Sequence, residues 1–127
     1  MLKEAEAQKF AEEWVQAWNA HDLEAILSHY APDVVLTSPV AAELLNDASG
    51  TVKGKDALRA YFSRGLEVHR NLAFDLREVL VGISSVVLYY QNQKGTMTGE
   101  FMELDANKKV VRVVANYGGA KKQILPS

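Results

Sequence analysis

The chain has 127 residues, 48% of them hydrophobic and 24% charged, with a net charge of −2 and no cysteine. That is enough chain for one hydrophobic core and too little positive charge to recruit nucleic acid or an anionic membrane. The absence of cysteine excludes a disulfide scaffold, a thiolate zinc site and a cysteine nucleophile, and is compatible with a reducing compartment.

From the amino end, Phe10, Trp14, Ala17 and Trp18 recur at helical spacing across residues 4–20, with glutamates and glutamines opposite. The opening "MLKEAEAQKFAEEW" is charged and amphipathic, unlike a signal peptide. No apolar run approaches the roughly 18 residues of a membrane span, so a cytoplasmic protein is expected. Asp22 is placed to cap a second, short helix, whose stripe is Leu23, Ile26, Leu27 and Tyr30, ended by Pro32. "DVVLTS" (33–38) is rich in β-branched residues and predicts a strand. Residues 39–54 are expected to form a loop, a candidate lid, in which "AAELL" is able to make a helical turn. "GKDALRAYFSRGLEVHR" predicts a third helix with Leu58, Phe62, Leu66 and His69 near one face.

After that helix the period falls to two, and strands are expected at 72–81, 83–92, 96–105 and 109–118, joined by "NQKG" and "DANK" turns. The order α-α-β-α-β-β-β-β implies an α+β fold, helices lying on one face of a mostly antiparallel sheet. Residues 1–127 are expected to form one domain, with a core of about 5–119 and a short tail at 120–127. Val86, Leu88, Tyr90, Met97, Phe101, Val110 and Val114 are expected on the sheet face turned away from the helices. So many apolar side chains call for a cover, and a homodimer through that face follows.

No histidine pair shows ligand spacing, so no metal site is expected. His21 sits in the turn between the first helices, His29 lies off the apolar stripe and is expected in solvent, and His69 is a helix-end residue near the pocket. Ser38, Ser84 and Ser85 lack a nucleophile elbow. "YGGAKKQ" (117–123) has two glycines but no helix to cradle a phosphate. No cofactor is implied.

"FAEEWVQAWNAHDLEAILSHYAPDVVLTSP", followed by "GTVKGKDALRAYF" and four strands, resembles the SnoaL-like, nuclear transport factor 2-like superfamily over about residues 5–119. The most specific element is the pair "WNAHDLEAI" and "GKDALRAYF" at this separation. The resemblance implies a cone in which a curved sheet wraps a helix and leaves an apolar cavity at its open end. Members include polyketide cyclases, ketosteroid isomerases, dehydratases, epoxide hydrolases and catalytically silent modules, so function has to come from the pocket. The ketosteroid-isomerase-like pattern places Trp14, Tyr30, Ser38, Phe62, Glu100, Met102, Val113 and Tyr117 around the cavity. Trp18 joins Trp14, Tyr30 and Phe62 in an aromatic cluster positioned to touch a ligand.

Ketosteroid isomerases use an aspartate base on the first strand, a tyrosine from the first helix and a protonated carboxylic acid. Those positions hold Ser38, Trp14 and Glu100 here. An unassisted serine is far too weakly basic for that proton abstraction, and an indole N–H has a different reach. Two readings of Glu100 remain. In one, desolvation among Met102, Val113 and aromatic rings raises its pKa and makes it a proton donor or base, helped by His69, Ser38 or Tyr30. In the other, it pairs with Arg112 or a lysine at the rim and merely satisfies a charge. The expected ligand is a small hydrophobic or cyclic molecule, handled by a lyase, isomerase or hydrolase in the first case and by a non-catalytic binding or dimerisation module in the second.

Overall fold

The computed structural model describes residues 1–118; the tail at 120–127 and most of "YGGAKKQ" lie outside them. Four helices, α1 (Glu4–Asn19), α2 (Leu23–Leu27), α3 (Pro39–Leu44) and α4 (Lys55–Val68), accompany six strands. These are β1 (Tyr30–Thr37), β2 (Thr51–Lys53), β3 (Asp75–Val81), β4 (Ser85–Gln91), β5 (Met97–Leu104) and β6 (Val110–Tyr117). They form one curved, unclosed sheet in the order β2-β1-β6-β5-β4-β3. All pairs are antiparallel except β1 with β6. Among the described residues no helix is long and apolar enough to cross a membrane.

The first helix follows its stripe: Ala7, Phe10, Ala11, Trp14, Val15, Ala17 and Trp18 are buried. Asp22 caps α2, accepting from the backbone N–H of Ala25 at 3.1 Å. The α2 helix ends earlier than its apolar stripe, and Tyr30 opens β1 instead of closing a helix. Pro32 sits inside β1, where the register with β6 shifts between Tyr30 and Val35, so its missing N–H breaks no ladder bond. The expected loop at 39–54 is built rather than free: α3 follows Ser38 at once, and β2 pairs with Val35–Thr37 of β1.

The two faces of the sheet differ from expectation at four positions. Val86, Leu88, Tyr90 and Val110 are at most 2% exposed and belong to the core under the helices, not to the outer face. On β4 both faces are apolar, so alternation alone does not choose between them. Pairing does, because Leu88 lies opposite Glu100 and Tyr90 opposite Thr98, and cross-strand partners share a face. Val110 turns inward because the β5–β6 register shifts between Glu103 and Leu104, pairing Leu104 with Val110 and leaving Val111 as the extra residue. Met97, Phe101 and Val114 do lie on the outer face, each half-buried.

Gly50 ties the α3 region to β1. Its carbonyl accepts from the Ser38 N–H at 2.9 Å, and its φ is +58°. A Cβ there would approach the Ser38 carbonyl oxygen to 2.5 Å, with backbone on both sides of the contact. Gly50→Ala is therefore expected to lower stability by about 2 kcal/mol in thermal denaturation, through left-handed strain and the clash together. A loss below roughly 0.5 kcal/mol would mean that this crossing is not held as described.

Candidate functional site

A cavity of about 410 Å³ opens at the end of the sheet where β1 and β6 finish. Its wall takes Trp14 and Trp18 from α1, Tyr30 and Leu36 from β1, Tyr61 and Phe62 from α4, Tyr90 from β4, and Glu100 from β5. Ala115 and Tyr117 of β6 complete the interior. Toward the opening stand Pro39, Val40 and Glu43 of α3, His69 after α4, and Asn92–Lys94 of the β4–β5 turn.

Local structure explains each placement. On α1, Trp14 and Trp18 are four residues apart and so share a face, their ring centroids 6.1 Å apart. Phe74 precedes β3 in an irregular segment, held to the end of α1 by a double hydrogen bond. The Asn19 Nδ2 donates to the Phe74 carbonyl at 2.9 Å, and the Phe74 N–H donates to Asn19 Oδ1 at 2.7 Å. That clamp stacks the Phe74 ring on Trp14, 5.7 Å away and 16° from parallel. His21, at φ +55° beyond the α1 C-terminus, shares a hydrogen bond between its Nε2 and the Leu72 carbonyl at 2.8 Å and fixes the same segment. The turn after β4 is closed by Asn92 Oδ1, which accepts from the N–H groups of Lys94 and Thr96.

Glu100 is 8% exposed and faces the aromatic wall. Its Oε1 accepts from the Tyr90 hydroxyl at 2.9 Å. Burial pushes its carboxyl up to about 7, partly offset by the Tyr90 hydrogen bond. The expected rim cation is elsewhere: Arg112 faces Glu103 at 3.7 Å on the outer side of the sheet. The phenols of Tyr30, Tyr61, Tyr90 and Tyr117 are all held above the ordinary tyrosine value, first by burial and then, for Tyr30, Tyr90 and Tyr117, by the Glu100 charge. Tyr61 is pushed up to about 12. Each phenol therefore keeps its proton at neutral pH, and that of Tyr90 is already given to Glu100.

Of the residues expected at the pocket, Trp14, Trp18, Tyr30, Ser38, Phe62, Glu100 and Tyr117 line the cavity. Met102 and Val113 do not. They share the inner face with Glu100 and Ala115 but lie farther toward the closed end, fully buried in the core. Alternation gives a side chain's face; it does not give its depth. Ser38 is 3% exposed and is the N-cap of α3, its hydroxyl accepting from the Val40 N–H at 3.1 Å. The same side chain lies beside the phenols of Tyr61 and Tyr117 and pulls both back down. His69, the C-cap residue of α4, is among the residues that line the cavity. His29 is not in solvent. It is half-buried edge-on to Phe10, with its pKa lowered by burial and then by Lys109.

Tyr61, Phe74, Tyr90 and the residues of the β4–β5 turn were not expected at the cavity. Tyr90 had a usable signal, since Glu100 facing inward requires Leu88 and Tyr90 inward as well. Tyr61 adjoins Phe62 on the broad apolar side of α4. Phe74 had none, because no periodic element contains it.

The SnoaL-like domain model matches residues 11–117. A SnoaL-like protein of unknown function from Burkholderia thailandensis is 38% identical, covers 92% of this chain and 98% of its own, and superposes with a TM-score of 0.88. TerC, crystallised with polyporic acid, superposes at 0.74 with 16% identity, over 92% of this chain and 95% of its own. A candidate polyketide cyclase from Sinorhizobium meliloti superposes at 0.72 with 11% identity, over 91% and 100%. No curated protein matches the chain. The two distant likenesses carry the fold alone. With the domain match over most of the chain and the 38% identity to the Burkholderia protein, the chain belongs to the SnoaL-like domain family.

Proposed function

We propose that the chain binds a small, apolar, cyclic molecule in this cavity and that Glu100 moves a proton on it, as a cofactor-independent lyase, isomerase or hydrolase. The observation that carries the reading is Glu100 itself. It is a buried carboxyl with no cation beside it among the described residues, fixed by one tyrosine and titrating near neutrality inside an aromatic cavity. A purely structural carboxylate is normally paired or solvated, whereas one near 7 serves as acid or base at working pH. The cavity volume fits a one- to three-ring molecule. Trp14, Trp18, Tyr30, Phe62 and Tyr117 offer it ring faces and edges, with His69 and Ser38 as the nearest candidates for a second polar group. TerC, which shares the fold, was crystallised with polyporic acid.

A second reading, a binding module without turnover, has one observation in its favour: Ser38 already serves as a helix cap. Tryptophan fluorescence separates the two, because both tryptophans line the cavity. Aromatic and polyketide-like compounds are screened for quenching, and those that bind are incubated with wild type and Glu100→Gln and followed by mass spectrometry. Turnover falling about 100-fold or more in Glu100→Gln, with affinity kept within a few-fold, supports the enzyme. Binding without turnover in either protein leaves the silent module, and no binding at all removes both.

We also infer that two copies pair through the outer sheet face. Val114, Phe101, Val87 and Leu80 form one cross-strand row there, with Leu80 51% and nearby Tyr89 42% exposed. Light scattering at micromolar concentration is expected to give twice the chain mass, and Phe101→Glu to give the monomer, by placing an unpaired charge in the centre of the row. A monomeric wild type sinks this inference.

A further inference from the structure

Two side chains of the cavity wall, Tyr30 and Trp18, hold hydrogen-bond donors that find no acceptor among the described residues. The Trp14 Nε1–H donates to Tyr30 Oη at 3.0 Å, so one lone pair of that oxygen is taken. Tyr30 is 2% exposed, and among the described residues nothing accepts its hydroxyl proton. Trp18 Nε1 is also buried. It lies near enough to Tyr30 to pull that phenol's pKa down, yet it has no partner in hydrogen-bond geometry. Both side chains line the cavity, and Phe62 packs edge-on to each, at 4.8 Å from Trp18 and 5.4 Å from Tyr30. Two neighbouring donors are thus buried without acceptors, an arrangement that is costly unless something else fills it.

Resting on the reading of the cavity as a site for a cyclic molecule, we propose that the Tyr30 hydroxyl and the Trp18 indole N–H together hold one oxygen of the ligand, and that this oxygen is a ring carbonyl. An indole N–H only donates, and Tyr30, already accepting from Trp14, is turned toward donation. A carbonyl oxygen offers two in-plane lone pairs to two donors and brings no proton of its own. A hydroxyl oxygen also accepts, but it brings a proton of its own, a third donor at a place that already holds two. A hydrocarbon leaves both donors unmatched. Tyr30 and Trp18 are in this sense specificity-determining residues, and Trp14 is a positioning residue acting through Tyr30.

Three compounds on one skeleton test the proposal: 1-tetralone, 1-tetralol and tetralin, titrated against the intact chain by tryptophan fluorescence. Tetralone is expected to bind about tenfold or more tighter than tetralin, with tetralol weaker than tetralone. In Trp18→Phe and in Tyr30→Phe, where a ring remains and the donor is lost, the ratio of tetralone to tetralin affinity is expected to shrink severalfold, whatever the change in tetralin affinity itself. Equal binding of tetralone and tetralin by the wild type overturns the proposal and leaves the ring-binding reading standing. So does an advantage that survives both substitutions, or tetralol binding tightest. If none of the three binds, the ring-binding reading fails and the proposal with it. Should the variants not fold, the infrared carbonyl stretch of tetralone bound to wild type decides. A shift to lower wavenumber than in an aprotic solvent supports the two donors, and an unshifted band overturns them.

Discussion

Glu100→Gln is expected to raise the melting temperature at pH 8 by roughly 10 °C and to leave it unchanged at pH 4. The carboxyl moves from 4.5 to about 7 on folding because burial disfavours its charged form. Between those two values the folded state holds a proton that the unfolded state has released, so stability falls as pH rises through that window. Below 4.5 both states are protonated and the residue contributes no penalty; above 7 the penalty is complete. At about 1.4 kcal/mol per pH unit, its full size is about 3 kcal/mol. Glutamine keeps an oxygen that can accept from Tyr90 and never ionises, so the pH dependence belongs to the wild type alone. Melting curves of both proteins from pH 4 to 8 measure it directly. If the two curves run parallel, Glu100 is not a buried neutral-range acid and the enzyme reading loses its support. If the gap opens between pH 5 and 7 as described, the chain gives up stability to keep an ionisable group in its cavity, which is a common mark of a working site.

Much of the frame behind that carboxyl was legible beforehand, and the limits have physical causes. The α1 helix was legible because its stripe is long and uninterrupted, and the α2 start because Asp22 has one evident use. Glu100 was legible because β5 alternates cleanly, with Thr98, Glu100, Met102 and Leu104 all inward. The β2 strand was not, since three residues are too few to display a period. The face of β4 was not, since Val86 through Tyr90 are apolar on both sides and only the turn length fixes which side meets Glu100. The donor pair at Tyr30 and Trp18 was visible as an aromatic cluster. Its hydrogen-bond imbalance was not, because it depends on how three polar atoms from α1 and β1 meet in space.

That meeting rests on Trp14, and its removal is expected to be the most destabilising single truncation in the wall. Trp14 is 2% exposed and contacts Phe74, Tyr90 and Trp18, with ring centroids at 5.7, 5.6 and 6.1 Å. Trp14→Ala opens a void among them and leaves the Tyr30 oxygen without its donor, at a cost of about 3–5 kcal/mol, or roughly 10–20 °C in melting temperature. Trp14→Phe separates the two contributions. It keeps a ring against Phe74 and removes the indole N–H, so a loss of about 1–2 kcal/mol is expected. In a double-mutant cycle with Tyr30→Phe, the coupling is expected near 1 kcal/mol, the worth of one buried neutral hydrogen bond. A coupling indistinguishable from zero would mean that the bond does not orient Tyr30, and the hydroxyl would be free to turn its lone pairs to a ligand donor. The prediction therefore reaches beyond stability. With Trp14 in place the cavity selects for an oxygen that accepts, and in Trp14→Phe that selectivity is expected to relax even where tetralin still binds, because the ring that fills the wall and the proton that orients Tyr30 belong to different atoms of the same side chain.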